Sequence, residues 1–376
     1  MTKQYELKIF NEINNELTEH WLRITSGSNS TVFQSYEWCA EWCRCMKDYL
    51  KDTLPFIIVV FFKNEPVALA PFQIQKNWLY SRVDFLGAGL NDYNNILFSQ
   101  TLVEDPTVLT NIFRRIVEEL SKFDLIFFGN VPEYAQNCKN YLVHLPNFKQ
   151  TIYALRVNAL DRDLTEFVPK KVRKQNTRAL KKLYELKELK LNENVINYNR
   201  DVVISHIIRQ KSRQYVRTGA IDIFKSKMIR AFIRKIALNE NLSVVSSIHV
   251  DGKIIAAHLG FQKDDYFYYY MPVTERQEYS KYSLGNILLQ YLMKRGSEIG
   301  INFFDFTIGE ESYKARWANE KIKLFEYKRA NSAVGHLVLS GIRLRNYIKR
   351  QEKLRTLFMK TRSILYRQAN GNNDQQ

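Results

Sequence analysis

The sequence predicts a mixed α/β (α+β) protein made of two tandem halves, each a mixed, mostly antiparallel sheet flanked by helices. Three observations carry this. A β-rich hairpin pattern occurs twice, about 187 positions apart. The same further strand, helix and strand follow each copy. At 376 residues, with 45% apolar and 25% charged residues, the chain has the length for about two domains and the material for packed cores.

The first hairpin is PFIIVVFFKNEPVALAPFQI, Pro55 to Ile74, with a polar turn at Lys63 to Glu65. The second is LSVVSSIHVDGKIIAAHLGF, Leu242 to Phe261, turning at Asp251-Gly252, where positive φ costs least. Downstream of the first, Thr107 to Lys122 has helical spacing and FDLIFFGN reads as a strand ending at Gly129. Downstream of the second, Leu284 to Ile299 is the matching helix and INFFDFTIG the matching strand, ending at Gly309. The expected divisions are therefore residues 1–160, residues 161–335 with a basic helix over 169–190, and a basic terminal helix and tail over 336–376.

The longest apolar run, Leu54 to Phe62, is far short of the ~20 residues that cross a bilayer. The N-terminus lacks the order of a secretory signal, and four cysteines make no disulfide framework. A cytoplasmic location is expected, peripheral on the inner face of the membrane if the tail binds lipid. Metal is not expected: Cys39, Cys43 and Cys45 follow Trp38 in a helical, aromatic stretch without a CxxC pair.

The net charge of +17 is unevenly placed. Residues 1–150 hold 14 Lys and Arg against 17 Asp and Glu, so the second part carries all of the excess. PKKVRKQNTRALKKL, Pro169 to Leu183, reads as a helix with one packed edge and a basic remainder that includes Arg173. From Arg343 to Arg367 nine basic residues meet one acid, over a stripe of Leu344, Tyr347, Ile348, Leu354, Phe358 and Leu365. That stripe fits an anionic lipid surface or burial against the protein body. Both stay open.

Chemistry concentrates in the second half. The loop YSKYSLG, Tyr279 to Gly285, enters a helix whose first amides suit a phosphate, with Ser283 as cap and Gly285 allowing close approach. In FFDFTIGEESYKARW, Asp305 stands among phenylalanines on a strand, so burial either raises its pKa or demands a partner such as Lys314 or Arg316. His258, between Ala257 and Leu259, reads as an interior histidine or a base. LGAGLNDYNN, Leu86 to Asn95, has the composition of a hydroxyl-binding loop or of a turn cluster. GxSxG, Walker and GxGxxG patterns are missing from the sequence.

In their order, FQSYEWCAEW, LGAGLNDYNNILF, VPKKVRKQNTRALKKL, VDGKIIAAHLGF, YSKYSLGNILL and FDFTIGEESYKARW resemble the GNAT-superfamily acyltransferases of the CelD/BcsL type, themselves similar to the FemAB ligases with two GNAT-like halves. The match covers roughly residues 30 to 330. Leu284 replaces the family's proline before the helix, while Asp305, Phe306, Gly309, Tyr313, Lys314 and Trp317 all match.

The resemblance implies acyl transfer from acetyl-CoA or another acyl-CoA, without a metal, to an amine or hydroxyl of a cell-envelope or exopolysaccharide precursor. The acceptor would be a small molecule or a lipid- or nucleotide-linked sugar. An aminoacyl-tRNA donor is the alternative and the one role it leaves for nucleic acid; a non-catalytic polyanion- or membrane-binding protein is the third reading. The thioester arm would lie between strands Asp265 to Pro272 and Ile301 to Ile308. Met271, Val273, Tyr282, Ser283, Gly285 and Asn286 would hold the donor, with the phosphates at Ser280 to Asn286. Asp305 or His258 would take the proton, amides near Met271 would face the oxyanion, and Tyr313 would serve the leaving thiolate. Trp38, Asp92, Tyr93, Arg173, Glu310, Lys314 and Trp317 would line the substrate.

Overall fold

The computed structural model describes residues 5–26, 30–87, 89–99, 105–135, 138–159, 170–186, 189–192, 194, 198–275 and 278–350. The chain begins with β1 (Tyr5–Phe10), α1 (Asn15–Thr25) and α2 (Tyr36–Tyr49), then the hairpin β2 (Thr53–Phe62) and β3 (Glu65–Lys76). Next come β4 (Ser81–Phe85), β5 (Leu97–Phe98), α3 (Pro106–Glu119), β6 (Leu125–Pro132), the small pair β7 (Tyr134–Ala135) and β8 (Cys138–Lys139), and β9 (Phe148–Asn158). The second round has α4 (Lys170–Leu186), β10 (Leu189–Asn192), α5 (Tyr198–Thr218), α6 (Lys227–Leu238), and the hairpin β11 (Ser243–Val250) and β12 (Lys253–Lys263). It ends with β13 (Tyr266–Thr274), α7 (Leu284–Glu298), β14 (Phe303–Ile308), α8 (Ser312–Ala315), β15 (Glu320–Ala330) and α9 (Ala333–Arg350).

Both hairpins form where the sequence places them. Lys63 and Asn64 have φ of 50° and 65°, and Asp251 and Gly252 have 48° and 73°, the two positive values that a two-residue turn matched to strand twist requires. The strands join one thirteen-stranded sheet in the order β1-β2-β3-β4-β6-β15-β9-β14-β13-β12-β11-β10, with β5 on β3. Among the described strands only β4 with β6 and β13 with β14 pair in parallel. Each round thus supplies an antiparallel run closed by one parallel pair, and the order is the same twice.

The halves exchange their last strands. β9, which follows β6 in the chain, pairs with β14, and β15, which follows β14, pairs with β6; β9 and β15 lie side by side between them. Arg156 on β9, 4% exposed, donates to both oxygens of Glu320 on β15 at 2.7 and 3.0 Å and to the Tyr266 hydroxyl at 3.1 Å. A guanidinium fork on a carboxylate is among the stronger polar contacts a partly buried site can hold, and it fastens the two rounds at their centre.

Three cores cover the sheet. One gathers α1, α2, α5 and α6 and contains Trp21, Trp38 and Phe232. A second lies under α3, and a third under α4 and α7. Cys39, Cys43 and Cys45 belong to the first, and burial pushes the Cys43 thiol up to about 12 and that of Cys45 to about 11. Among the described residues no group of three or more His, Cys, Asp or Glu is arranged to hold a metal, and no helix is long and apolar enough to cross a membrane. Residues 160–169, at the expected boundary between the halves, and the tail beyond 350 lie outside the described residues.

Candidate functional site at the open seam

The two parallel pairs behave differently. In the second round β13 and β14 are paired only at Tyr266–Phe303, Phe267–Phe304 and Tyr268–Asp305. Beyond Tyr268 the strands part, leaving the edge of β13 from Tyr269 to Thr274 without a strand on that side. A cleft of about 870 Å³ opens there. Tyr269 to Glu275, Ser283 to Asn286, Thr307, Tyr313 and Lys314 line it, with Asp92 from the first round and Lys211, Gln214 and Arg217 from α5.

In the first round β4 and β6 likewise separate after Val83–Ile126. Here the loop Leu86 to Asn95 fills the gap. Asn94 donates through its backbone amide to the Asn130 carbonyl at 2.9 Å and through Nδ2 to the Gly129 carbonyl at 2.9 Å, while Asn130 Nδ2 donates to the Asn91 carbonyl at 3.1 Å. Asn91 also accepts from Trp38 Nε1 at 2.8 Å and donates to the Leu86 carbonyl at 2.7 Å. Gly87, at φ +82°, is required, because a Cβ would stand 2.2 Å from Asn91 Oδ1. The loop expected to bind hydroxyls therefore spends its amides on closing this seam.

Asp92 is the exception, since it reaches the open cleft. Burial holds its carboxyl up at about 6, opposed by a hydrogen bond with Thr307 and the charge of Lys314, while the charge of Asp305 raises it further. Asp305 is also raised to about 6, by burial first, with the Tyr93 and Thr307 hydrogen bonds opposing. It is 2% exposed, and its Oδ1 accepts from the Tyr93 hydroxyl at 2.7 Å and from the Thr307 amide at 2.6 Å. Neither Lys314 nor Arg316 pairs with it directly. Thr307 occupies φ +59° where the β14–β9 register slips, an outlying conformation for a β-branched residue that the Asp305 contact holds in place.

The end of the cleft where the donor phosphates are expected is built at α7. Ser283 does not cap the helix as expected: its backbone is left-handed, at φ 51° and ψ 44°, and its side chain makes no cap bond. Its carbonyl instead accepts from the amides of Asn286 at 2.9 Å and Ile287 at 3.3 Å. The amides of Leu284 and Gly285 come before these first bonds, at the positive end of the helix. A Cβ on Gly285 would meet only the Thr274 methyl, at 3.6 Å, so packing does not demand glycine there. The space it leaves belongs to the cleft.

Of the expected donor residues, Met271, Val273, Ser283, Gly285 and Asn286 line the cleft. Tyr282 faces a second groove of about 600 Å³ with Lys171, Lys174, Arg178, Lys182 and Lys281. Asn176 of α4 ties the two together, donating to the Asn286 carbonyl at 3.3 Å and to Gln290 at 2.7 Å. Tyr313 lines the cleft from the third core, its hydroxyl pushed up by burial and by Glu311. Lys314 is 5% exposed and is held by the Ile308 carbonyl at 2.6 Å and Glu311 at 2.9 Å, so it frames the cleft with its charge partly matched.

Several expected site residues are elsewhere. His258 is fully buried beside Tyr269, ring centroids 4.4 Å apart, with neither ring nitrogen hydrogen-bonded; burial lowers it to about 3, so it stays neutral and outside the cleft. Trp38 and Trp317 are core residues. Tyr93 is committed to Asp305, and Glu310 pairs with Lys321 at 2.7 Å. Arg173 lines neither the cleft nor the groove. Conversely, Lys211, Gln214, Arg217 and Tyr270 line the cleft unforeseen. Tyr270 also donates to the Leu90 carbonyl at 2.7 Å, locking the parted strand to the first round. The run QKSRQYVR, polar along a helix, was the only signal of the α5 contribution.

Comparison with known proteins agrees with this architecture. Residues 170–315 match the family model described as an acetyltransferase (GNAT) domain. The crystal structure of FemX is similar over 85% of this chain and 97% of its own, at 13% identity and a TM-score of 0.58. L-PGS from Bacillus licheniformis is similar over 90% and 98%, at 14% identity and 0.52. A conserved protein of unknown function from Bacteroides thetaiotaomicron covers 85% and 99%, at 12% identity and 0.50. No curated protein matches by sequence. At these identities what is shared is the fold, and with it the GNAT-like arrangement of the second round.

Proposed function

We propose that the protein is an acyltransferase of the CelD/BcsL type, moving an acetyl or other acyl group from an acyl-CoA to an amine or hydroxyl of a cell-envelope or exopolysaccharide precursor. The supporting observation is the parted β13–β14 seam, which ends at the first amides of α7. The arm of a thioester carrier fits an unpaired strand edge that can receive its amides, and its phosphates fit the helix start at Leu284 and Gly285. The thioester supplies an activated carbonyl and a good leaving group.

This chain's residues do the rest. Asp92 takes the proton from the attacking nitrogen or oxygen, because it lines the cleft and a carboxylate near 6 is ionised yet basic at neutral pH. Asp305 acts as a positioning residue, accepting from the amide of Thr307, which in turn hydrogen-bonds with Asp92. Amides on the Tyr269–Thr274 edge face the carbonyl oxygen as its charge grows. Tyr313 returns a proton to the departing sulfur as the C–S bond breaks and the new C–N or C–O bond forms. A thermal-shift screen with acetyl-CoA, longer acyl-CoAs and nucleotide sugars tests the reading: the donor should raise the melting temperature, and the absence of any acyl-CoA effect overturns it.

The basic groove favours one second reading. Lys171, Lys174, Arg178, Lys182 and Lys281 face each other without a carboxylate in the lining, next to the phosphate end of the cleft. A polyanionic carrier such as an aminoacyl-tRNA would use it. Steeply salt-dependent tRNA binding that is lost in Lys174→Glu/Arg178→Glu, with acyl-CoA inert, would select this donor.

A further inference from the structure

The C-terminal helix presents its apolar stripe outward. Gly335 and Leu339 of α9 are buried and Ile342 half-buried, and a Cβ on Gly335 would stand 2.0 Å from the Asp124 carbonyl oxygen. At 3.6 residues per turn, Leu337, Gly341 and Leu344 fall on the opposite side, with Tyr347 beside them and Arg343 and Arg345 flanking left and right. Leu337 is 74% exposed, Leu344 61% and Tyr347 59%. Of the stripe read from the sequence, Leu344 and Tyr347 have described side chains, and both are exposed rather than packed on the protein body.

A second apolar element stands near. The turn between β3 and β4 carries Trp78, 94% exposed, and Leu79, 52% exposed. Asp124 fastens it to the start of α9: its carboxylate accepts from the Ser81 amide at 2.8 Å, the Ser81 hydroxyl at 2.7 Å and the Ser332 hydroxyl, and its carbonyl accepts from the Asn331 amide at 2.9 Å. Both elements are basic in sequence. Ala333–Arg350 contains four Lys and Arg and no Asp or Glu, and Lys76 leads into the turn.

The geometry points to a docking surface for an anionic phospholipid bilayer, made jointly by α9 and the 77–80 turn. Apolar side chains flanked by arginines on a helix without acids, beside an exposed tryptophan, match an interface that is negative outside and apolar beneath. The inference is independent of the acyl-transfer reading.

Trp78 makes it measurable, because Trp21, Trp38, Trp42 and Trp317 are all at most 4% exposed. The full chain is mixed with phosphatidylcholine vesicles and with 7:3 phosphatidylcholine–phosphatidylglycerol vesicles, at low and high salt. Phosphatidylglycerol vesicles should shift Trp78 emission to the blue, protect it from acrylamide and carry the protein on flotation. Leu337→Glu/Leu344→Glu should weaken flotation by about tenfold or more without changing the melting temperature, and Trp78→Phe should remove the emission change while keeping most of the binding. Absence of binding to the anionic vesicles, equal binding to the neutral ones, or full binding by the double variant overturns the proposal. So does a blue shift that tracks protein concentration without vesicles, which would make this face a contact between two copies.

Discussion

Replacing Asp305 with asparagine should change how stability depends on pH, and by an amount that follows from the carboxyl's burial. A solvated aspartate titrates at 3.8, whereas Asp305 is held at about 6. Between those values the folded protein keeps a proton that the unfolded chain has released, so stability is greatest below pH ~4 and falls as pH rises through ~6. At about 1.4 kcal/mol per pH unit, the gap comes to roughly 3 kcal/mol. The substituted amide has no proton to lose, and its oxygen can still accept from Tyr93 and Thr307. Any cost of seating its NH₂ group is a constant offset. Urea unfolding followed by tryptophan fluorescence, in steps from pH 4 to pH 8, gives the stability of Asp305→Asn minus that of the wild type. That difference should climb by about 2.5 kcal/mol from pH 4 to pH 8, and the share of the Asp92 elevation that the Asp305 charge causes adds to the climb. A flat difference would mean that Asp305 is not held protonated by burial, and a falling one that its charge is stabilised more than the Tyr93 and Thr307 contacts suggest.

Three further outcomes are expected. The pH profile of kcat/KM should rise through about 6 as Asp92 ionises; Asp92→Asn should cost about 10² to 10⁴-fold, and Asp305→Asn should move the rise to lower pH, since the Asp305 charge is one cause of the Asp92 elevation. Gly285→Val should raise the donor KM by about tenfold or more by filling the phosphate approach, at a site where a Cβ meets only Thr274; an unchanged KM would remove the helix start from the site. Arg200→Met should cost about 1 to 3 kcal/mol in urea unfolding by removing the buried guanidinium's hydrogen bonds to the Ala237 and Ser243 carbonyls, away from the cleft.

What the sequence revealed was what local chemistry decides. The hairpin turns were legible because Lys63-Asn64 and Asp251-Gly252 answer a demand for positive φ that few residues meet. The Ser283–Asn286 loop was legible because a helix start has the same meaning wherever it stands, although the left-handed Ser283 that replaces an ordinary cap was not. Trp38 and Trp317 were misplaced because an aromatic residue in a dense motif looks the same whether it faces ligand or core. The exchange of β9 and β15 was hidden for a different reason: it is a matter of long-range pairing, in which β9 joins the second round through β14 and through the Arg156 bond to Tyr266, 110 residues away. Lys211, Gln214 and Arg217 carry no sequence signal specific to a site, because polar residues along a helix read as solvated until a neighbouring strand is known to have parted.

The two seams explain why a duplicated plan yields one cleft. Both rounds place a parallel pair at the centre, and in both the pair comes apart after two or three residues. A parted pair leaves backbone donors and acceptors that must find partners. In the first round Asn91, Asn94 and Asn130 supply them from the chain itself, with side-chain amides that each donate and accept. In the second round β13 runs on instead through Tyr269–Thr274, with Pro272 contributing no donor, and Tyr270 anchors it outward to Leu90. The asparagine loop therefore does two things at once: it seals its own seam and, by that rigidity, sets Asp92 at the mouth of the other. One round has become the support from which a carboxylate is aimed into its twin.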